Sequence, residues 1–268
     1  MELVKQKILI TGATDGIGLA TARMLTSQKR HLLLHGRDPE KLQALKQELS
    51  IDGEQIETYT ADLSYMPNVK ALAKAVSVDH TRIDVLINNA GVCKVPKKVT
   101  REGLDIRFAV NTIAPYLLTQ QLIPLMQPDS RIINVSSRAQ SPVDLDALIG
   151  RKRIAEDFTV YAQSKLALTM WSRYMALKEK HLTIVAVNPG SMLGTKMVQK
   201  AFGVGGHDAR IGAEILTHAT LSEEFATASG KYFDNDARRF ARPHADALNP
   251  KKTKAVVRTI ETILAHIH

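Results

Sequence analysis

Thr11-Gly12-Ala13-Thr14-Asp15-Gly16-Ile17-Gly18 is the stretch on which the reading of this sequence turns. It joins a short apolar run, Lys7–Ile10, to a segment, Gly16–Thr26, in which Ile17, Ala20, Met24 and Leu25 recur at helical spacing. A helix N-terminus offers unpaired N–H groups and a positive dipole end. Glycines remove the Cβ atoms that would keep a pyrophosphate away from those donors. The spacing G-x-x-x-G-x-G differs from the fingerprint G-x-G-x-x-G. Nucleotide binding is therefore expected from the position of the turn between strand and helix, since glycines also serve simple turns.

Outward from that turn, strand and helix patterns alternate. His31–His35 is a second apolar run, and Asp38-Pro39 is a helix start, with Asp as cap and Pro at the first helical position. Leu42, Leu45 and Leu49 mark one face of that helix. Gln55–Thr60, a helix around Asn68–Val78 and the apolar run Ile83–Ile87 follow. Later come a long helical stretch, Gly103–Met126, with Pro115 as a kink, then a strand at Arg131–Val135 and a helix at Phe158–Glu179. A strand at Leu182–Val187, a helix near Ala209–Leu221, a last strand at Lys231–Phe233 and a terminal helix at Pro250–Ile267 complete the pattern. This alternation predicts an α/β fold with a parallel sheet and crossover helices. No repeat, linker or composition break divides residues 1–268.

At the end of the second strand stands His35-Gly36-Arg37-Asp38. An acid there would bind the 2′-hydroxyl of NAD; Arg37 instead suits a 2′-phosphate, with Gly36 leaving room. NADP(H) is thus the preferred cofactor, with NAD(H) as the alternative. Asp15, beside Gly16, weighs against that preference because it is acidic.

Bulk properties narrow the classes. Hydrophobic residues make up 44% and charged residues 24%, as in soluble globular proteins. The single cysteine, Cys93, cannot form an internal disulfide, and the nine histidines show no metal-ligand spacing, so no metal is expected. No signal peptide and no membrane span are expected, and the predicted location is cytoplasmic. The net charge of +9 favours anionic partners. Its clusters at 94–101, 151–153 and 251–254 lack interleaved aromatics, so nucleic acid is not an expected partner.

Together these stretches resemble the short-chain dehydrogenase/reductase family over roughly Lys5 to Thr195. The glycine motif resembles Thr11 to Gly18, and the adenine contact Asp62-Leu63. The Asn-Asn-Ala-Gly motif resembles Asn88-Asn89-Ala90-Gly91, and the helix asparagine Asn111. The serine resembles Ser137, the Tyr-x-x-x-Lys motif Tyr161 to Lys165, and the Pro-Gly motif Pro189-Gly190 with Thr195 following. The resemblance implies a single-domain Rossmann fold, a doubly wound parallel sheet of about seven strands with helices on both faces. It implies Asn111, Ser137, Tyr161 and Lys165 as the catalytic set. Gly12, Thr14, Asp15, Gly16, Ile17, Gly18, Arg37, Asp62, Leu63, Asn89, Ala90, Gly91, Tyr161, Lys165, Pro189, Gly190 and Thr195 are the implied cofactor contacts. Tyr161 follows Ser137 by 24 positions, longer than usual for the family, and this resembles the retinol-dehydrogenase-like branch.

The chemistry follows from the residue types. Tyr161 and Lys165 at i, i+4 share a helix face, so the ammonium is expected to lower the phenol pKa and make Tyr161 a general acid/base. Ser137 is expected to polarise a carbonyl oxygen. The resemblance implies a proton relay from Asn111 to Lys165, and Thr195 on the cofactor. The expected substrate is a small carbonyl or alcohol, bounded by a loop at about 138–159 and a lid at about 192–210 that contains Phe202-Gly203-Val204-Gly205-Gly206. Dimers or tetramers are the family's common states. A catalytically silent NADP(H)-binding protein on the same fold is the alternative.

Overall fold

Buried strands flanked by amphipathic helices close into one sheet in a computed structural model of the protein, which describes residues 5–50, 55–203 and 205–267. The strands are β1 (Lys7–Ile10), β2 (His31–Gly36), β3 (Ile56–Thr60), β4 (Val85–Asn88), β5 (Arg131–Val135), β6 (Thr183–Asn188), β7 (Tyr232–Asp234) and β8 (Arg239–Ala241). Their spatial order is β3-β2-β1-β4-β5-β6-β7-β8. All neighbours are parallel except β7 and β8. The chain moves outward from β1 to β3 and then returns to place β4 on the other side of β1. That reversal opens a crevice at the carboxyl ends of β1 and β4.

Alternation along each strand divides the core. Leu9, Leu33, Leu86, Ile132 and Ile184 pack on one face with α3 (Met66–Asp79), α5 (Ala114–Leu122), α7 (Asp157–Lys178) and α11 (Pro250–His266). Ile8, Leu34, Ile87, Ile133 and Val185 pack on the other with α1 (Gly16–Ser27), α2 (Pro39–Leu49) and α9 (Arg210–Leu221). Coverage on both faces explains why β2, β4 and β6 are buried along their whole lengths. Asp38 caps α2 as expected, accepting from the N–H groups of Glu40 and Lys41.

The structure refines the strand count and corrects one helix. The sheet has eight strands; β8 is an antiparallel edge, held by Phe240 against Phe225 and Phe233 with ring centroids 5.1 Å apart. Gly103–Met126 is not one helix kinked at Pro115. Gly103 sits in a left-handed turn (φ 77°), α4 (Ile106–Phe108) opens the helix, and a π-helical turn spans Ala109–Ile113. Pro115 opens α5, where its missing N–H costs nothing, so the irregularity centres on Asn111 instead. The stretch after Pro189-Gly190 is partly helical, with α8 (Lys196–Phe202) capped at its C-terminus by left-handed Gly203. Val204 of the glycine-rich stretch lies outside the described residues. A short α6 (Leu145–Leu148) lies within the 138–159 loop, and α10 (Glu223–Ala226) follows α9. Among the described residues no helix is long and apolar enough to cross a membrane.

Candidate active site

The phosphate loop is built by close approach. Gly12 has φ 67°, and a Cβ there would stand 2.9 Å from Cα of Ala90. A Cβ on Gly18 would lie 2.2 Å from the Gly12 carbonyl oxygen. Both positions therefore require glycine. The Thr11 hydroxyl accepts from the N–H groups of Asn89 (3.0 Å) and Ala90 (3.1 Å). The Asn89 amide donates to the carbonyls of Thr11 (2.9 Å) and Gly12 (3.1 Å). Asn89 thus contributes by holding the loop, with its amide nitrogen spent on backbone. Asp15 caps α1 by accepting from Gly16 N–H at 2.8 Å. Ile17 turns toward α9, where its side chain meets the backbone of Gly212.

His35 fastens this loop from β2. Gly12 N–H donates to its Nδ1 (3.3 Å), and its Nε2 bonds the Ala61 carbonyl (3.1 Å). Nε2 must carry the proton, because a carbonyl can only accept. Burial pushes the imidazole pKa down to about 4, so it is neutral. Arg37, one step beyond Gly36, is exposed. The space at Gly36 is taken by Thr14 and Leu42; a Cβ would stand 2.9 Å from Thr14 Cγ2. The glycine therefore admits the loop itself. Beyond β3, Leu63 is buried and Asp62 accepts from Ser64 N–H at 2.9 Å.

The second half of the site lies at the ends of β4, β5 and β6. Asn111, in the π-helical turn, accepts from Val92 N–H (2.8 Å) and donates to the Val92 carbonyl (2.9 Å) and the Ser164 hydroxyl (2.9 Å). Its side chain thereby positions the chain after Gly91. Ser136 is buried against Thr169 and the Lys165 carbonyl. Ser137 is the one of the pair that bonds Tyr161. Its oxygen accepts from Ala139 N–H (3.1 Å), which leaves the hydroxyl proton to donate. Ser164 donates to the Tyr161 carbonyl (2.7 Å), a helix contact with no nucleophilic geometry.

Lys165 is buried and donates to the Val135 carbonyl at 2.7 Å. Its Nζ stands 5.7 Å from the Tyr161 ring centroid. Burial pushes the amine down to about 8, with the Cys93 thiol acting weakly in the opposite direction. Burial pushes the Tyr161 phenol up to about 12, and the hydrogen bond with Ser137 offsets only part of this. Desolvation thus sets the direction of both shifts in this arrangement. Cys93 is a buried thiol pushed up by burial, which fits an inert side chain.

Pro189 and Gly190 end β6, and the Pro189 carbonyl accepts from Asn235. Thr195 caps α8 and touches Gly16. The 138–159 loop is docked: Asp144 caps α6, and its N–H donates to Gln163 of α7 (3.0 Å). Two of its cations are spent locally, Lys152 on Asp144 (2.7 Å) and Arg153 on the Gly103 carbonyl (2.7 Å). Sequence reasoning missed His35, the Thr11 hydroxyl, Lys196 and Tyr232, whose hydroxyl donates to the Ser137 carbonyl at 3.1 Å. It also missed Arg107. This fully buried guanidinium bonds both Asp105 oxygens (2.8 and 2.6 Å) and reaches Asp157 in the first turn of α7. A charged residue inside an apolar helix pattern was the available signal for Arg107.

The comparisons with known proteins agree with this geometry. Residues 6–203 match the family model for short chain dehydrogenase. The chain is 30% identical to retinol dehydrogenase 13 of Homo sapiens, over 89% of this chain and 79% of that one. It is 30% identical to the short-chain dehydrogenase chry4 of Gibberella zeae, over 96% of both. Among solved structures, an uncharacterized protein from Mycobacterium paratuberculosis superposes with a TM-score of 0.81 at 25% identity, covering 97% of this chain and 93% of that one. An angucycline C-6 ketoreductase, LanV, solved with bound NADP, gives 0.68 at 25% identity, covering 86% and 93%. With the switch-point crevice, the glycine turn and the Ser137, Tyr161 and Lys165 constellation in one place, this chain belongs to the short-chain dehydrogenase family, on its retinol-dehydrogenase-like branch, and is an oxidoreductase of CH–OH and C=O groups.

Proposed function

We propose that the protein moves a hydride between NADP(H) and a carbonyl/alcohol pair, with Tyr161 as general acid/base. The observation that carries this reading is the convergence of Ser137, Tyr161 and Lys165 at the end of β5, with a buried ammonium that bonds a single carbonyl among the described residues. A buried ammonium has three protons to place, and those not spent on Val135 suit a ribose hydroxyl. Gly91, next to Lys165 Nζ, keeps side-chain bulk away from the same space. The residues fit the cofactor: Gly12 and Gly18 let the loop close against Ala90 and Asn89 at the N-terminus of α1, where backbone N–H groups suit a pyrophosphate, and exposed Arg37 suits a 2′-phosphate. The bound NADP in the LanV structure supports the same cofactor.

The bound nicotinamide would supply or accept the hydride. Ser137, which bonds Tyr161 in this arrangement, would turn its hydroxyl proton to the carbonyl oxygen as negative charge develops there. Tyr161 delivers a proton to that oxygen in reduction and removes it in oxidation. Lys165, with Nζ 5.7 Å from the Tyr161 ring centroid, favours the phenolate form electrostatically when it carries its proton. Phe158 stacks on Tyr161 with centroids 6.1 Å apart and is 41% exposed, which gives the substrate an apolar wall.

Tyr161→Phe tests this reading directly. Turnover should fall by about 10²- to 10⁴-fold while NADPH affinity stays unchanged. Normal turnover by the variant would remove Tyr161 from the mechanism. Tight NADPH binding without turnover of any aldehyde, ketone or quinone by the wild-type protein would favour a silent binding protein.

A further inference from the structure

Asp15 is the one acidic side chain of the phosphate loop, and it stands where a cofactor pyrophosphate would be received. Its Oδ1 accepts the Gly16 N–H at 2.8 Å, a donor at the start of α1. A phosphate approaching that N–H would meet a carboxylate already there, and the two anions repel. The carboxylate is not alone. Its Oδ2 pairs at 2.7 Å with Nζ of Lys196, the first residue of α8. Lys196 therefore brings the charge of this corner of the loop to zero from a different part of the chain.

Two further contacts show that α8 spans the crevice. Thr195 Cγ2 lies 3.0 Å from where a Cβ on Gly16 would stand, so the segment rests on the loop. Met197 Cε lies 3.7 Å from the corresponding point on Gly91, beside Lys165 Nζ at 3.5 Å. One turn of helix thus touches the phosphate end and the catalytic end of the crevice together. Docking of this turn is what holds the ammonium on Asp15.

We infer that Lys196 is a cofactor-affinity residue that acts through Asp15. By neutralising the carboxylate it lets the loop accept a pyrophosphate, and it couples cofactor binding to the docking of α8. The inference rests on the reading of the crevice as an NADP(H) site. When the pyrophosphate takes the Gly16 N–H, Asp15 gives up that bond and keeps Lys196. Phosphate and carboxylate then share one ammonium, so α8 is held more firmly with cofactor than without it.

The test is a fluorescence titration with NADPH at low and high salt, on the wild-type protein, Lys196→Ala, Lys196→Arg, Asp15→Asn and the Asp15→Asn/Lys196→Ala double variant. Lys196 and Asp15 are exposed, and Asn can keep the cap of α1, so all should fold. Lys196→Ala should weaken NADPH binding by about three- to tenfold at low salt, and less at high salt. Lys196→Arg should bind as the wild type does. In the Asp15→Asn background the loss of Lys196 should cost little. Wild-type affinity in Lys196→Ala, or an equal loss with and without Asp15, overturns the inference and leaves the NADP(H) reading standing. Failure of the wild-type protein to bind NADPH overturns both.

Discussion

The two ends of the crevice each bury a basic side chain, and they treat it differently. At the phosphate end, His35 has both ring nitrogens satisfied, one by Gly12 N–H and one by the Ala61 carbonyl. Burial holds it neutral. At the catalytic end, Lys165 is as deeply enclosed but its ammonium has one hydrogen-bond partner among the described residues, the Val135 carbonyl. The protein completes His35 by itself. It leaves Lys165 incomplete, at a cost that bound ligand would relieve. Incompletely satisfied buried charge is expected at functional sites, where stability gives way to chemistry.

Lys165→Met should break that comparison most strongly. Turnover should drop by about 10²- to 10⁴-fold. The folded protein should become more stable at neutral pH. The unfolded chain holds the Lys165 proton up to about 10.5, the native chain only to about 8. Between these values the unfolded state binds more protons, so wild-type stability rises with pH there and the full penalty is present below pH 8. That penalty is about 3 kcal/mol as an upper bound, less what the Val135 carbonyl loses in the variant. Denaturant unfolding of both proteins at pH 7 and pH 10 checks this. An identical pH slope in the two would show that Lys165 carries no penalty.

His35→Asn should give a smaller effect of opposite sign. At neutral pH the variant should lose about 1–3 kcal/mol, as one or both of the His35 bonds are broken. The wild-type protein should also be acid-labile through this group. The unfolded imidazole protonates near 6.5 and the native one near 4, so stability falls as pH drops from 6.5 to 4. In the variant that part of the slope should be absent. Retention of the full acid slope would place the lability elsewhere.

The difference between the two ends also marks what the sequence made legible. The parallel sheet could be read because period-2 and period-3.6 patterns alternate cleanly, and Arg131–Val135 appears with its expected bounds. Ser137, Tyr161 and Lys165 could be read because their spacing reflects one strand end and one helix face. His35 could not, because its role depends on Gly12 and Ala61, which are 23 and 26 positions away. The break at Asn111 escaped notice because a π-helical turn inserts a residue without altering composition. Asp15 read as an argument against NADP(H), since the sequence does not show that Lys196 lies against it.

Arg37 sharpens the comparison, because it stands at the His35 end but resembles Lys165 in being unspent. Its guanidinium makes no hydrogen bond among the described residues, and it lies close enough to His35 to push the imidazole pKa down. If open donors mark the ligand, Arg37→Ser should weaken NADPH binding by about tenfold and leave NADH binding unchanged. Competitive titration with the two cofactors reads this ratio directly. The same substitution removes a like-charge neighbour from His35, so the imidazole should protonate at a higher pH and the acid loss of stability should shrink slightly. A 2′-phosphate on Arg37 would act in the same direction by neutralising it. An unchanged cofactor ratio with a shifted acid slope would mean that Arg37 belongs to the electrostatics of the loop and does not contact the phosphate.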